Sequence, residues 1–192
     1  VGQHAKIFGF YKDLNDEGDA GEIARAMAGI DVDRDENGNL LINSDIASGV
    51  EVRNSVLIDA KITGTGKVTD SVLLGARGRV IEEQDAFDVM SVAGSLKLGR
   101  RAGSYKVVDG GEVVVEEGER LTTLFLPGKE SGVPFRVRED TDLKDKARNY
   151  SVPVLGNALS FEEAHKLMGS VTVDELNAAR GAAIDAVLKR IG

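Results

Sequence analysis

Residues 50–98, VEVRNSVLIDAKITGTGKVTDSVLLGARGRVIEEQDAFDVMSVAGSLKL, carry an apolar residue at every sixth position. The positions of this column are Val50, Val56, Ile62, Val68, Leu74, Val80, Ala86, Val92 and Leu98. A period of six matches neither the helical repeat nor the simple alternation of a strand, but it fits short strands that turn a corner every six residues. The column therefore predicts stacked coils with aliphatic side chains inside.

Small and polar residues occupy the places between these apolar positions. They are Asn54-Ser55, Asp59-Ala60, Gly64-Thr65-Gly66, Asp70-Ser71 and Gly75-Ala76. Such residues suit tight turns, because glycine tolerates positive φ and the short polar side chains hydrogen-bond their own backbone. We therefore expect a corner of the coil at each of these places.

Two segments, residues 54–59 (NSVLID) and 70–75 (DSVLLG), resemble the recurring coil of the hexapeptide-repeat left-handed parallel β-helix. More narrowly, they are similar to the version at the carboxyl end of sugar-phosphate nucleotidyltransferases. The two segments begin 16 residues apart, whereas a three-sided coil of that family takes about 18 residues. The resemblance implies a mainly β fold with flanking helices, in which a left-handed parallel β-helix is followed by a β module and two helices.

The rest of the chain is predicted to divide around this β-helix, which is expected over residues 46–103 because the aliphatic column is lost at Ser104. Residues 1–45 form a helical and hairpin lead-in, residues 104–134 a β meander or cap, and residues 135–159 a linker or long loop. Residues 160–192 form two helices, each opened by a Ser or Thr with a Glu three positions later. The opening Val1-Gly2-Gln3 resembles the end of the family's W-x-D-V-G motif, which implies a preceding catalytic domain.

The amino-acid composition limits the classes of partner and site that the chain can have. The chain has 32 acidic and 24 basic residues, a net charge of −8, no cysteine and no tryptophan. The acidic balance argues against nucleic acid or an anionic membrane as the main partner. The lack of cysteine excludes disulfides, thiolate metal sites and a cysteine nucleophile. No apolar run approaches the ~20 residues of a membrane span, so we expect a cytoplasmic protein.

The resemblance implies that the chain is the assembly or regulatory region of a nucleotide-sugar pyrophosphorylase. The family's phosphate-binding G-x-G-T-R loop is not present, and the nearest string, residues 64–67 (GTGK), is followed by valine and fits a corner turn. We therefore expect no catalytic residue and no cofactor in this chain, with magnesium needed only by the catalytic domain. The expected partners are that domain and further copies of the chain.

Four basic residues stand close together in this acidic sequence. They are Lys97, Arg100, Arg101 and Lys106. Guanidinium groups and glycine-rich backbone suit phosphate or carboxylate binding. In one branch of the resembled family, the sugar-nucleotide pyrophosphorylases of storage glycan synthesis, anionic effectors bind near the junction with the catalytic domain. The cluster is a candidate effector site; the alternative is that it forms surface ion pairs with Asp88, Glu112 and Glu116.

An acidic turn offers a candidate metal site. Asp33, Asp35 and Asn37 occupy the first, third and fifth positions of a calcium loop, with Gly38 at the sixth. The bidentate acid that such a loop needs at its twelfth position is replaced by Ser44. A plain hairpin turn around Asn37-Gly38 is the favoured alternative.

Two other classes of function remain open. Many proteins of the resembled fold are acyltransferases that use a histidine as general base, a role that suits the pKa of imidazole. This chain has two histidines, His4 and His165, both in predicted helices outside the repeat. The third class is a non-catalytic scaffold or a calcium-binding interaction module.

Overall fold

The computed structural model is a parallel β-solenoid of about 5 turns with helices before and after it. It describes residues 2–126, 132–142 and 145–191, without the side chains of residues 2–4. The helices are α1 (Gly2–Asp13), α2 (Asp19–Met27), α3 (Phe161–Met168) and α4 (Val173–Ile191), and a π-helical turn spans Lys146–Tyr150. The strands are β1 (Leu40–Ile42), β2 (Asp45–Ile46), β3 (Gly49–Arg53), β4 (Val56–Ile58), β5 (Lys61–Ile62), β6 (Thr65–Thr69), β7 (Val72–Leu74), β8 (Arg77–Gln84), β9 (Phe87–Val89), β10 (Val92–Leu98), β11 (Gly103–Tyr105), β12 (Val108–Val115), β13 (Glu119–Leu124) and β14 (Val133–Arg138).

Each coil of the solenoid is about 16 residues long. Parallel pairing links β1, β4, β7, β9, β11 and β13 in one ladder. The stacked positions in that ladder are Leu40, Val56, Val72, Phe87, Gly103 and Arg120, which lie 15 to 17 residues apart. The distance between the two Ser-Val segments in the sequence is therefore the coil length itself.

The six-residue column does not stack on itself in this fold. A coil of about 18 residues would place Val50 against Val68, but Val50 pairs with Gly66, and Val68 pairs with Val52. Because 16 is not a multiple of six, successive members of the column fall at different places around the coil. The predicted parallel β-helix is confirmed as a parallel β-solenoid, and its repeat is the coil of about 16 residues.

Residues with left-handed backbone form two corner columns. One column contains Asn43, Asp59, Gly75, Met90 and Lys106, and the other contains Gly38, Asn54, Asp70, Asp85, Arg101 and Gly118. Side chains tie neighbouring corners together: the Nδ2 of Asn54 donates to the Oδ1 of Asp70 at 2.6 Å. The backbone N–H of Ser71 donates to the Oγ of Ser55 at 3.2 Å just inside the same corner. Short polar side chains suit this conformation because they hydrogen-bond locally.

The solenoid continues past residue 103, where the sequence had suggested its end. β13 stacks on β11 and β12 stacks on β10, both in parallel, and within the described strands only β14 runs antiparallel, on β13. Ser104 is fully buried inside the coil. Its hydroxyl is satisfied there, since it donates to the Oδ1 of Asp88 at 2.5 Å. The loss of the aliphatic column at Ser104 reflects a polar interior rather than a new β meander.

Helices cover two outer faces of the solenoid. The ring of Phe8 in α1 stacks on Phe87 of β9 at 5.5 Å between centroids. α4 packs along β10 and β12, and Val187 is the buried residue of this helix. The predicted Ser160 capping box opens α3. β14 begins before residue 135 and continues into the segment predicted as a loop over residues 135–159. None of the helices in the described ranges combines the length and the apolar character needed to cross a lipid bilayer.

Candidate functional site

A cavity of about 790 Å³ opens between the last coil, β14 and α3. Its apolar lining includes Leu121, Leu124, Phe135, Val137, Phe161, Ala164 and Met168. Its charged or titratable lining residues are Tyr105, Lys106, Arg120, Arg138, Glu139, Asp140 and His165, and Ala5 of α1 also contacts it. An apolar cavity with a few charged groups around it is the usual form of a small-molecule site.

The walls of the cavity are set by the hairpin of β13 and β14 and by the start of α3. Phe135 of β14 faces Phe161 of α3 with ring centroids 6.4 Å apart. Ser160 caps α3, since its Oγ accepts from the backbone N–H of Glu163 at 3.2 Å. The Oε2 of Glu163 in turn accepts from the backbone N–H of Ser160 at 2.8 Å. Asn157 completes the outer edge of β14 by bonding both the N–H and the carbonyl of Arg136, at 2.7 and 2.6 Å.

The charged rim contains an ion-pair network at one corner of the solenoid. Glu139 lies 3.1 Å from the guanidinium of Arg101 and 3.6 Å from that of Arg120. The Arg120 guanidinium also donates to the backbone carbonyl of Arg101. Burial raises the pKa of Tyr105, and the charge of Arg120 and a hydrogen bond to it oppose this increase. Lys106 is exposed at the other corner column and forms no ion pair within the described residues.

The four predicted basic residues do not form one cluster. Lys97 lies on β10 and pairs with Glu82 at 3.2 Å, and Arg101 pairs with Glu117 and Glu139. Arg100 is exposed and without an ion pair among the described residues. Lys106 alone of the four lines the cavity. The effector site predicted from these residues therefore reduces to Lys106, and it stays a prediction.

The carboxylate of Asp35 accepts hydrogen bonds from within the acidic turn itself. The Oδ1 of Asp35 accepts from the backbone N–H of Asn37 and of Asn39 at 2.9 and 2.8 Å, and its Oδ2 accepts from the Asn39 side chain. Gly38 has a φ of 76°. Within the described residues no three Asp, Glu or His side chains are placed to share a metal ion. The calcium interpretation of Asp33, Asp35 and Asn37 remains a prediction.

The structure describes the side chain of one of the two candidate histidines. His165 lines the cavity beside the last coil, and its ring stacks on Phe161 at 6.2 Å with an interplanar angle of 9°. The His4 side chain lies outside the described part of the chain. Sequence reasoning missed the apolar wall and Arg120, because the wall combines the hairpin of β13 and β14 with α3, which is distant from it in sequence.

Comparisons with protein-family models, with curated proteins and with solved structures found no match to this chain.

Proposed function

We propose that the chain is the assembly and regulatory region of a sugar-phosphate nucleotidyltransferase, and that the cavity beside the last coil binds its effector. In this proposal the solenoid is a left-handed relative of the hexapeptide-repeat helix, shortened from about 18 residues per coil. The catalytic domain, which would use magnesium, belongs to another part of the parent protein. The parent would work in the cytoplasm as a homo-oligomer, and this chain would need no cofactor.

The regulatory part of the proposal rests on the position of the cavity. The cavity is lined by Ala5 of α1 as well as by the last coil and α3. In the proposal α1 connects the solenoid to the catalytic domain. A ligand in the cavity would therefore contact the connecting helix directly, and a change in the position of α1 would reach the neighbouring domain.

The chemistry of the cavity indicates an effector with an apolar body and one anionic group. The apolar lining from β13, β14 and α3 favours an aromatic or aliphatic body. Arg120 and Arg138 are partly neutralised, by Glu139 at 3.6 Å and Asp140 at 4.0 Å. Lys106 forms no ion pair among the described residues, so its ammonium group is available to bind the anionic group of the effector.

Binding of 1-anilinonaphthalene-8-sulfonate tests this site, because that dye combines an apolar body with a sulfonate. We expect saturable binding at one site, measured by fluorescence titration. Lys106→Glu should weaken the affinity about tenfold, since it replaces attraction of the anion by repulsion. Met168→Trp should abolish binding by filling the cavity.

Two matched variants serve as controls for the dye titration. Lys67→Glu makes the same charge change at an exposed lysine of β6, away from the cavity. Leu167→Trp introduces the same ring on α3 at a residue that does not line the cavity. Equal effects of Lys106→Glu and Lys67→Glu would leave the effector site without support.

The position of His165 favours a second candidate function, acyl transfer from coenzyme A. A histidine in a cleft beside the coils can act as the general base for an acceptor hydroxyl or amine. The assay is transfer from acetyl coenzyme A to a panel of amines and sugars. Under this hypothesis His165→Ala lowers the rate by about 100-fold or more. Unchanged transfer by His165→Ala, or no transfer by the unmodified chain, would reject this candidate.

A further inference from the structure

Two carboxyl side chains lie inside the solenoid on either side of the corner that joins β8 to β9, where the neighbouring coils carry mostly aliphatic groups. Glu83 of β8 is stacked between Val68 and Leu98. Asp88 of β9 is stacked between Leu73 and Ser104. The exposed fraction is 3% for Glu83 and 0% for Asp88. Acidic residues are almost never buried to this extent without a partner.

Hydrogen bonds satisfy only one of the four carboxyl oxygens of this pair. The Oδ1 of Asp88 accepts from Ser104 Oγ at 2.5 Å, and the Ser91 hydroxyl lies 3.1 Å from Ser104 Oγ, as its donor. The Oδ2 of Asp88 and both oxygens of Glu83 have no hydrogen-bond partner within the described residues. Three buried acceptors without a donor carry a large desolvation cost.

The elements packed against this pair supply no cation to the interior. The facing side chains of β6, β7 and β10 are aliphatic, and β11 contributes Ser104 and the titratable Tyr105. The charged groups at the adjoining corner pair on the outside, where Lys12 contacts Asp85 at 2.8 Å. On β8 itself, Glu82 points outward to its ion pair with Lys97.

We propose that Glu83 and Asp88 together bind one proton inside the solenoid at neutral pH. The proton resides on Glu83, so that the buried pair carries one negative charge in place of two. The single remaining negative charge resides on Asp88, where the Ser104 hydroxyl already donates to the Oδ1. The proton thus removes the charge that would otherwise be buried on the two unpartnered oxygens of Glu83.

The pKa shifts of the two groups agree with this assignment of roles. Burial raises the pKa of Asp88 to about 6, and the Ser104 and Ser91 hydroxyls, which donate in series toward its Oδ1, oppose the increase. Burial raises the pKa of Glu83 well above its usual value, and repulsion from the Asp88 charge raises it further. Burial also raises the pKa of Tyr105, so that group stays neutral in the same range. Of the two carboxyls, Glu83 therefore has the higher proton affinity.

Folding is consequently coupled to proton uptake. In the unfolded chain both carboxyls titrate near pH 4, so they are ionised at neutral pH. The folded state then binds one more proton than the unfolded state, and the unfolding equilibrium constant rises about tenfold per pH unit above about pH 6. The stability contributed by the proton is complete below the unfolded pKa and is lost as the pH rises through the folded pKa of Glu83.

The test is denaturant unfolding of the whole chain between about pH 6 and pH 9. Glu83→Gln supplies a permanent N–H donor of nearly the same shape. We expect its unfolding constant to change less than about twofold over that range, while the unmodified chain changes about tenfold per unit. Glu82→Gln, one residue away on the outer face, serves as the matched control and should retain the pH dependence.

Infrared spectroscopy detects the bound proton directly, and a purely structural role of Glu83 would give no such signal. At pH 7 the folded chain should show the C=O stretch of a protonated carboxyl, and Glu83→Gln should lack this band. Asp88→Asn should keep the band and move the alkaline transition to lower pH, because Glu83 then loses the repulsion of a neighbouring charge.

Three outcomes would overturn the proposal. The first is no protonated-carboxyl band in the folded chain at pH 7. The second is an equal pH dependence of unfolding in Glu83→Gln and the unmodified chain. The third is stabilisation by calcium or sodium that is lost in Glu83→Gln, since the pair would then hold a metal cation in place of the proton.

Discussion

Replacing Gly64 by alanine is expected to lower the free energy of unfolding by about 3–5 kcal/mol. Gly64 lies at the corner between β5 and β6 with a φ of 87°, and an added Cβ would stand 1.8 Å from the carbonyl oxygen of Arg79 in the next coil. That backbone cannot retreat, because the N–H of Thr63 donates to the Gly78 carbonyl at 2.7 Å. The variant therefore combines left-handed strain with a clash between two coils. Urea unfolding followed by circular dichroism measures the loss.

Gly75 provides the matched control for this prediction. Its φ is 66°, but the nearest atoms to an added Cβ are those of Met90 at 3.7 Å, which is ordinary contact. Gly75→Ala should cost only the left-handed strain, about 1–2 kcal/mol. Gly75→Asn should cost less, since Asn43 and Asp59 occupy the same corner column. Equal losses for the two alanine variants would show that the contact between coils at Gly64 carries no weight.

The corners of the solenoid were predictable from sequence because their chemistry is local. Asn54, Asp59, Gly64, Asp70 and Gly75 were each expected at a turn, and each has a positive φ. The coil length was predicted less well, because the six-residue aliphatic column mixes interior positions such as Val68 with positions such as Val56 and Leu74 that pack beneath α1. The more reliable signal was the spacing of two nearly identical corner segments.

Other corners had no local signal. Met90, Arg101 and Lys106 adopt left-handed backbone although their side chains do not favour it. The coils above and below fix them: the N–H of Met90 donates to the Leu74 carbonyl, and the N–H of Lys106 donates to the Val89 carbonyl. Only the regular stacking of coils, which a single segment does not reveal, explains these positions.

The polar interior was also hidden from sequence reasoning. Asp88 was considered as a surface partner for the basic residues, and this was wrong, because strand register turns it toward the coil interior, where it is fully buried. Ser104 occupies the same stacked column in the next coil and was interpreted as the end of the repeat. Two departures that look unrelated in sequence, 16 residues apart, become one hydrogen-bonded contact in the fold.

Replacing Leu73 by alanine is expected to lower the free energy of unfolding by about 3–4 kcal/mol. Leu73 is fully buried in the main core and stacks on Leu57 in the coil before it and on Asp88 in the coil after it. The coils are closed by backbone ladders on both sides, so the cavity left by the side chain cannot collapse. Leu74→Ala, at the next residue, should cost about 1 kcal/mol because that side chain is only half-buried beneath α1.

The same Leu73→Ala variant also links the hydrophobic core to the carboxyl pair. The new cavity would adjoin Asp88, so a water molecule can enter and hydrogen-bond the unpartnered Oδ2. Hydration lowers the cost of ionising both carboxyls, and the unfolding constant should then depend less steeply on pH above about pH 6. Leu74→Ala should keep the steep dependence. Unfolding titrations of both variants at pH 6, 7 and 8 measure the difference. If the unfolding constant of Leu73→Ala depends on pH as steeply as that of the unmodified chain, packing around Asp88 does not control the proton affinity of the carboxyl pair.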